Sequence, residues 1–262
     1  MNAPGVVLAS AVLLMGAPVV GAAQILETET ARSIGRGALE LSTNFEYQTS
    51  SEGSETAVPL ALEYGLSQRL ELLVEPVAYT AIRPKGGPNA TGMGDLEVTA
   101  TYLMRHESGG TPALAFAGEV KLPTARNTLI GTRKTDVAGY LIASKSMGRF
   151  DTHANLGYTI VGRPAGSHLK NIFNFALGSE MRLGETSELF GEILANTASS
   201  SAAEPVGPVA PGGVVAEAPA GEIVGSLGVA KYVIPSLRLS LGLSVDNNGA
   251  VQVRPGFTLR RR

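Results

Sequence analysis

The chain has 262 residues and a formal net charge of −2, and no basic stripe dominates, so these features argue against a nucleic-acid-binding protein. It contains no cysteine, which excludes a disulfide framework and a thiolate metal site. Charged residues form 17% of the chain and mean hydropathy is +0.14, a combination typical of apolar residues spread over many alternating strands.

Residues 1–23 have the features of a secretory signal peptide. An apolar run over residues 6–15 is followed by the small residues "GAA" directly before Gln24. No Lys or Arg precedes the apolar run, which leaves an uncleaved membrane anchor as the alternative. We expect cleavage after Ala23, followed by a periplasmic segment over residues 24–36.

From residue 37 onward, apolar and polar residues alternate with the period of a β-strand. In "GDLEVTATYLM", residues 94–104, Leu96 and Val98 share one face while Glu97 and Thr99 share the other. No stretch shows a period of 3.6, so almost no helix is expected. Twelve strands are predicted, at residues 39–47, 58–64, 69–79, 94–104, 113–122, 135–145, 151–160, 171–183, 189–196, 223–232, 237–246 and 251–260.

The strands differ in how clearly their faces can be assigned. Residues 237–246, "LRLSLGLSVD", alternate without exception between apolar and polar or small residues. Residues 135–145 are apolar on both faces and stay unoriented. Residues 189–196 are ambiguous, and residues 223–232 alternate weakly.

The connections alternate between short and long, as in outer-membrane barrels with short periplasmic turns and longer external loops. A closed barrel in lipid pairs every backbone group, whereas a soluble all-β fold would need another layer over its apolar face. We therefore expect an all-β fold, a single closed antiparallel transmembrane β-barrel of about 12 strands over residues 37–262. The Pro/Ala/Gly-rich residues 197–221 are expected to form a mobile external loop, either a lid or a tolerated surface insertion.

The stretches "VPLALEYGLSQRLELLVEPVAY", "GMGDLEVTATYLM", "PALAFAGEVKLPTA", "TDVAGYLIASKSMGRFDTHANLGYT" and "NFALGSEMRL" resemble a known family. This is the outer-membrane β-barrel family of transporters named for the phenol-degradation meta-pathway. The resemblance covers about residues 29–195 and implies a signal peptide, an antiparallel barrel and a role in solute passage; it brings no catalytic motif.

Three features depart from the family pattern. The chain has no Trp. Its last aromatic residue is Phe257, although such barrels usually end in an aromatic residue. Pro255 removes a backbone donor from the last strand, which predicts a closing strand that is short or bulged.

The polar faces of the strands are expected to line the lumen with charges of both signs, which should pair because an unpaired buried charge is costly. If the turn after the fourth predicted strand is centred near Gly109, Glu97 and Lys121 lie opposite each other and form one such pair. The candidate lumen-lining residues are Glu63, Glu71, Glu75, Glu97, Glu119, Lys121, His153, Glu180, Arg182 and Arg238.

We expect passive or gated diffusion of small solutes, with hydrophobic or aromatic molecules as candidates, through a constricted lumen with no cofactor or metal. The alternatives are a non-conducting structural or adhesive barrel and an outer-membrane lipid esterase using Ser144 and His153. The expected partners are the lipid bilayer of the bacterial outer membrane, the barrel assembly machinery and a small solute. Basic loop residues such as Arg133 and Lys134 serve either solubility or contacts with lipopolysaccharide phosphates.

Overall fold

The computed structural model describes residues 26–165, 167, 169–197 and 221–261. Within this part of the chain, no helix is both long enough and apolar enough to span a membrane. The alternating stretches form the strands β1 (Leu39–Asn44), β2 (Glu46–Thr49), β3 (Gly53–Gly65), β4 (Leu70–Pro84), β5 (Ala90–Gly92), β6 (Leu96–Arg105), β7 (Ala113–Leu122), β8 (Asp136–Met147), β9 (Phe150–Ile160), β10 (Ile172–Arg182), β11 (Ser187–Asn196), β12 (Glu222–Ile234), β13 (Leu237–Asp246) and β14 (Val251–Arg261).

These strands close into one antiparallel barrel. From β6 to β14 each strand pairs with the next, and β14 pairs with both β1 and β2. Since β1 and β2 both lie between β14 and β3, they are two parts of one barrel strand. In the same way β5 and β6 both pair with β4. The barrel therefore has twelve strands, which confirms the prediction, and its first and last strands pair with each other and close the sheet.

The gap between β1 and β2 lies opposite Pro255. The pairing register is the same on both sides of the gap, with Asn44 opposite Gly256 and Tyr47 opposite Val253. Phe45 N–H still donates to the carbonyl oxygen of Pro255 at 2.8 Å. The prediction of a short or bulged closing strand is wrong, because β14 runs for 11 residues without a register shift against β13. Instead, Pro255, which has no backbone N–H to donate, lies opposite the break between β1 and β2 in the neighbouring barrel strand.

The outer surface of the barrel is apolar. On β13, four apolar side chains are between 46% and 53% exposed: Leu239, Leu241, Leu243 and Val245. Arg238, the residue just before Leu239, is only 2% exposed. Alternation therefore assigns this strand correctly, with its apolar face outward. The same arrangement holds around the barrel, and the large apolar side chains that point outward include Phe116, Leu156, Phe173, Ile193 and Leu227.

The structure also orients the strands that alternation left open. On β8, Leu141 is 55% exposed and faces outward, while Ile142 and Ser144 are 1% exposed and face inward. On β11, Ile193 faces outward and Phe190 is buried inside. Both strands place apolar as well as polar side chains in the interior, which explains why a two-sided pattern did not reveal their faces.

Short turns gather at one end of the barrel and longer loops at the other. Gly109 and Gly148 have positive φ values of 51° and 64° in the β6–β7 and β8–β9 turns, a backbone conformation that glycine adopts without a Cβ clash. The first of these turns pairs Glu97 with Lys121, which confirms the predicted register. The connection from β2 to β3 is shorter than predicted, because β3 begins at Gly53.

Candidate solute path through the barrel

Residues 26–34, here called the inner segment, run inside the barrel. The N–H of Thr28 donates to Glu192 Oε2 at 2.6 Å, and the N–H of Ala31 donates to Ser144 Oγ at 2.8 Å. Both acceptors sit on inward-facing positions of strands. The structure therefore differs from the expectation of a periplasmic segment over residues 24–36. The reason is that inward polar side chains supply acceptors to backbone N–H groups that would otherwise need water.

Small residues make room for the inner segment. A Cβ at Gly178 would lie 2.9 Å from Thr28 Oγ1 and 3.1 Å from Leu26 Cδ1, so a larger residue there would push the segment away. On the other side, Ala31 is 1% exposed and packs in one buried cluster with Ala113, Ala115, Ala117 and Ile142. Because the side chain of alanine is a single methyl group, these positions of the wall leave space for the inner segment.

Charged side chains hold the inner segment at the short-turn rim. Arg32 donates to Asp151 Oδ2 at 2.6 Å and to Glu107 Oε2 at 2.9 Å. Lys145 Nζ donates to the other oxygen of Glu107 at 2.8 Å. These hydrogen bonds, from Lys145 first and Arg32 second, lower the pKa of Glu107 to about 2. The Glu107 carboxylate at the centre of this network therefore stays charged at neutral pH.

The sequence-predicted lumen residues occupy inward positions of seven strands, with one exception. Arg182 ends β10 with an exposed side chain, and its Nη2 donates to the carbonyl oxygen of Gly148 at 2.8 Å. It belongs to the short-turn rim rather than the lumen, because the strand ends before its side chain can reach the interior. Inward positions hold Glu63, Glu71, Glu75, Glu97, Glu119, Lys121, His153, Glu180 and Arg238.

Lys121 does not form its ion pairs with Glu97. Although the two residues are opposite in the sheet, Lys121 Nζ lies 2.5 Å from Asp136 Oδ2 and 3.8 Å from Asp95 Oδ2. The Oε2 atom of Glu97 has no hydrogen-bond partner among the described residues, and the residue is 3% exposed. Asp136 stands opposite Lys121 on the other neighbouring strand, β8, so the ammonium pairs with that carboxylate rather than with Glu97 on β6.

Arg238 forms the best-paired cluster of the inner wall. Its Nη2 lies 3.1 Å from Glu180 Oε1 and 2.8 Å from Glu188 Oε2. All three side chains are at most 5% exposed. Since each carboxylate accepts from the same guanidinium, this cluster links β13 to β11 and β10, which lie beyond β12 in the sheet.

Ser144 and His153 meet, but in an arrangement that anchors the inner segment. They are opposite each other on β8 and β9, with Ser144 Oγ 2.8 Å from His153 Nδ1. A nucleophilic serine would be oriented by a histidine that is itself held by a carboxylate. Here the neighbouring Asp151 is bound to Arg32, His153 Nε2 has no partner among the described residues, and Ser144 Oγ accepts from Ala31.

A cavity of about 100 Å³, partly open to solvent, lies between the inner segment and the barrel wall. Within the described ranges of the chain, five carboxyl groups and one guanidinium line it, together with polar and apolar side chains. The charged lining residues are Glu27, Glu29, Glu46, Glu75, Glu119 and Arg254. Arg254 Nη1 lies 3.0 Å from Glu27 Oε1, so this cation of the lining is already engaged.

Several residues of this interior escaped the sequence analysis. Glu29 was assigned to the periplasm, and Tyr140 and Phe190 lay on strands whose faces were unclear. A usable signal existed for Phe190, because Gly228 stands opposite it on β12 and a Cβ there would lie 2.1 Å from the phenylalanine ring. A glycine in a strand interior marks such a close approach.

Comparisons with known proteins agree with this architecture. The family described as "Putative MetA-pathway of phenol degradation" matches residues 64–197. The COG4313 outer membrane channel from Pseudomonas putida F1 superposes with a TM-score of 0.62 at 14% identity, covering 88% of this chain and 98% of that one. A search of curated protein sequences gave no match.

Two porins have a similar fold. A KdgM porin in complex with disordered oligogalacturonate has a TM-score of 0.56 at 8% identity, covering 84% of this chain and 98% of that one. The NanC porin has a TM-score of 0.57 at 10% identity, with the same two coverages of 84% and 98%. At these identities the similarity concerns the fold.

Proposed function

Because the chain belongs to the family described as "Putative MetA-pathway of phenol degradation", we propose that it is an outer-membrane barrel through which small solutes diffuse. The observation that carries this proposal is the partly open cavity of about 100 Å³ between the inner segment and the wall. Twelve strands give a bore between the packed interior of eight-stranded barrels and the wide channel of large porins. The inner segment narrows that bore further, so the path suits small molecules.

Hydrophobic and aromatic solutes are included in the proposal. The family description points toward phenol degradation, and the cavity lining offers Val77, Leu194 and the ring of Tyr140 beside its polar groups. Such a mixed lining is typical of sites that take small organic molecules. No step of this function needs a catalytic group or a cofactor.

Liposome swelling tests the proposal. Vesicles containing the purified barrel would be diluted into isosmotic arabinose, glucose, sucrose or raffinose. We expect swelling that is fastest for the smallest sugar and falls steeply with size, because the inner segment limits the cross-section. Swelling no faster than in protein-free vesicles for every solute contradicts a diffusion path.

A non-conducting structural barrel is the second candidate. It is favoured by the hydrogen bonds that fix the inner segment to the wall at Glu192, Ser144 and Glu71. In planar bilayers this alternative gives insertion without current steps, whereas the channel gives small, discrete steps.

The apolar outer surface suits the bilayer of a bacterial outer membrane. We propose that residues 1–23, which lie outside the described residues, direct secretion and that the barrel assembly machinery inserts the strands. At the long-loop end, Arg133 and Lys134 are exposed and can contact lipopolysaccharide phosphates. Replacing both by serine should weaken lipopolysaccharide retention during purification; unchanged retention assigns them to solubility.

A further inference from the structure

Positive charge is concentrated in one sector of the long-loop end of the barrel. Two connections supply it, residues 123–135 between β7 and β8 and residues 161–171 between β9 and β10, and neither contains an Asp or a Glu. By contrast, residues 197–221 contain Glu but no Lys or Arg. Because β7 to β10 are consecutive in the wall, the cations of the two connections belong to one sector. They are Arg126, Arg133, Lys134, Arg163 and Lys170.

The two connections lie against each other. A Cβ at Gly162 would lie 2.7 Å from Lys134 Cβ, and the N–H of Gly162 donates to Asp136 Oδ1 at 2.7 Å. Asp136 is 4% exposed, and its other oxygen pairs with Lys121, so this carboxylate is turned into the barrel and is used there. Lys134 and Arg163 are both exposed, and neither forms an ion pair with any of the described residues. The surface therefore presents two neighbouring cations whose charge the barrel itself leaves unbalanced.

A chain of hydrogen bonds orients the guanidinium of Arg163. Its Nη2 donates to Asn171 Oδ1 at 3.2 Å, and Asn171 Nδ2 donates to the hydroxyl oxygen of Tyr158 at 2.8 Å. The backbone N–H of Val161 donates to the same Asn171 oxygen at 3.3 Å. A guanidinium carries five N–H donors in a planar fork, and the bond to Asn171 uses one of them. Arg163 is therefore held at the rim with donors left for a phosphate, whose geometry matches this fork.

On the membrane side of Arg163 the outer surface is apolar and aromatic. The rings of Tyr158 and Phe173 face each other across β9 and β10, with their centroids 4.7 Å apart. On the next strand, Val137 stands opposite Ile160. These four side chains are between 40% and 58% exposed. Aromatic residues at the ends of barrel strands mark the membrane interface, so the two cations lie just above the level at which acyl chains begin.

We propose that this part of the outer surface is a docking site for one lipopolysaccharide molecule of the outer leaflet. The phosphates of its lipid A moiety accept hydrogen bonds from Arg163 and Lys134, and an acyl chain packs along the apolar side chains below. Charge complementarity supports this occupant, because the external leaflet beside the long loops presents phosphorylated sugars at this level. The inference goes beyond solute passage and rests on the proposed outer-membrane location. The side chains that form the site are Lys134, Val137, Tyr158, Ile160, Arg163 and Phe173.

The test measures lipid binding to the folded mature chain in neutral detergent by native mass spectrometry, which counts the lipids bound at each concentration. The three probes are diphosphoryl lipid A, the same lipid after enzymatic removal of its phosphates, and phosphatidylglycerol. We expect saturable binding of diphosphoryl lipid A that is about 25-fold tighter than that of the dephosphorylated lipid, since each Lys or Arg near an anionic surface contributes about fivefold. Phosphatidylglycerol, which has a single phosphate, should bind more weakly than diphosphoryl lipid A.

Substitutions locate the site. The double variant Lys134→Gln with Arg163→Gln should bring the binding of diphosphoryl lipid A close to that of the dephosphorylated lipid. Tyr158→Phe removes the hydroxyl that positions Asn171, and should weaken binding of diphosphoryl lipid A several-fold while leaving the dephosphorylated lipid unchanged. Arg149→Gln is the matched control, since Arg149 is exposed and donates to the carbonyl oxygen of Arg182 at 3.2 Å, but lies at the short-turn end. Folding is checked by the mobility shift of unheated samples on gels.

The outcomes separate this inference from the channel itself. A preference for diphosphoryl lipid A that is lost in the double variant and kept in Arg149→Gln supports the site, even if the barrel passes no solute, in which case only the channel fails. Equal binding of lipid A with and without phosphates, or an equal loss in Arg149→Gln and the double variant, overturns the site and leaves the channel standing. Phosphatidylglycerol that binds as tightly as diphosphoryl lipid A overturns the assignment to lipopolysaccharide.

Discussion

The outer surface and the inner wall of this barrel are made by the same strands under different rules. On β13, Leu239, Leu241 and Leu243 face outward and need only an apolar surrounding. Arg238 faces inward from the same strand and needs two carboxylates from other strands, each within 3.1 Å. The outer surface therefore depends on composition, whereas the inner wall depends on particular partners. Substitutions on the two sides should therefore lower the free energy of unfolding by different amounts.

The largest effect is expected at the inner wall, from Arg238→Ala. Removing one partner leaves Glu180 and Glu188 buried without their shared cation, which costs about 3–5 kcal/mol for buried pairs of this kind. The measurement is urea unfolding of the barrel in lipid vesicles. Arg182→Ala, at the exposed end of β10, is the control and should stay within about 0.5 kcal/mol of wild type. Equal losses would mean that the Arg238 cluster adds no stability of its own.

Leu241→Arg tests the outer surface. Placed near the middle of β13, an arginine facing lipid should cost about 2–4 kcal/mol. The neighbouring Ser240→Arg points its charge into the lumen and should cost much less. The same unfolding experiment compares them, and similar costs for both would refute the assignment of the two faces.

A smaller, pH-dependent effect is expected for the inner segment. Since burial and neighbouring carboxylates raise the pKa of Glu29 from 4.5 to about 8, the docked segment binds a proton that the undocked one releases. Docking should weaken as the pH rises from 4.5 to 8 and then level off. Hydrogen exchange of the Thr28 and Ala31 amides measures this, and Glu29→Gln should flatten the profile.

Glu107 gives the matched control for that profile. Its pKa is lowered to about 2, so its contribution is present above pH 4.5 and is lost as the pH falls toward 2. Glu107→Gln should therefore leave the change between pH 5 and 8 in place. A profile that is flat in wild type, or one that persists in Glu29→Gln, would assign the pH dependence to another group.

The smallest effect is expected from the loop after β11. Replacing residues 197–221 with a short Gly/Ser turn should leave folding intact, because a Pro/Ala/Gly-rich stretch has little to contribute to packing. Most of this stretch lies outside the described residues, and the expectation rests on its composition. Failure of the shortened chain to fold in detergent or lipid would show that it packs.

Sequence alone could predict the outer surface and the strand order, because side chains that face lipid need only be apolar and recur at every second residue of a strand. It could also predict that Glu97 and Lys121 stand opposite each other, since turn position fixes register. It could not give the partner of Lys121, because carboxylates lie opposite this residue on both neighbouring strands, Glu97 on β6 and Asp136 on β8. Nor did it show the inner segment, whose residues have no periodic pattern and are fixed by Ser144, Glu192 and Glu71 from distant parts of the chain.

Single-channel recording of the intact chain beside a variant lacking residues 26–34 tests the central claim most directly. The account predicts small current steps for the intact barrel and larger steps for the variant, because the inner segment occupies the lumen beside the cavity. Folding of both is checked by gel mobility before recording. Two folded barrels that insert into the bilayer and pass no current, with or without the inner segment, would contradict a solute path.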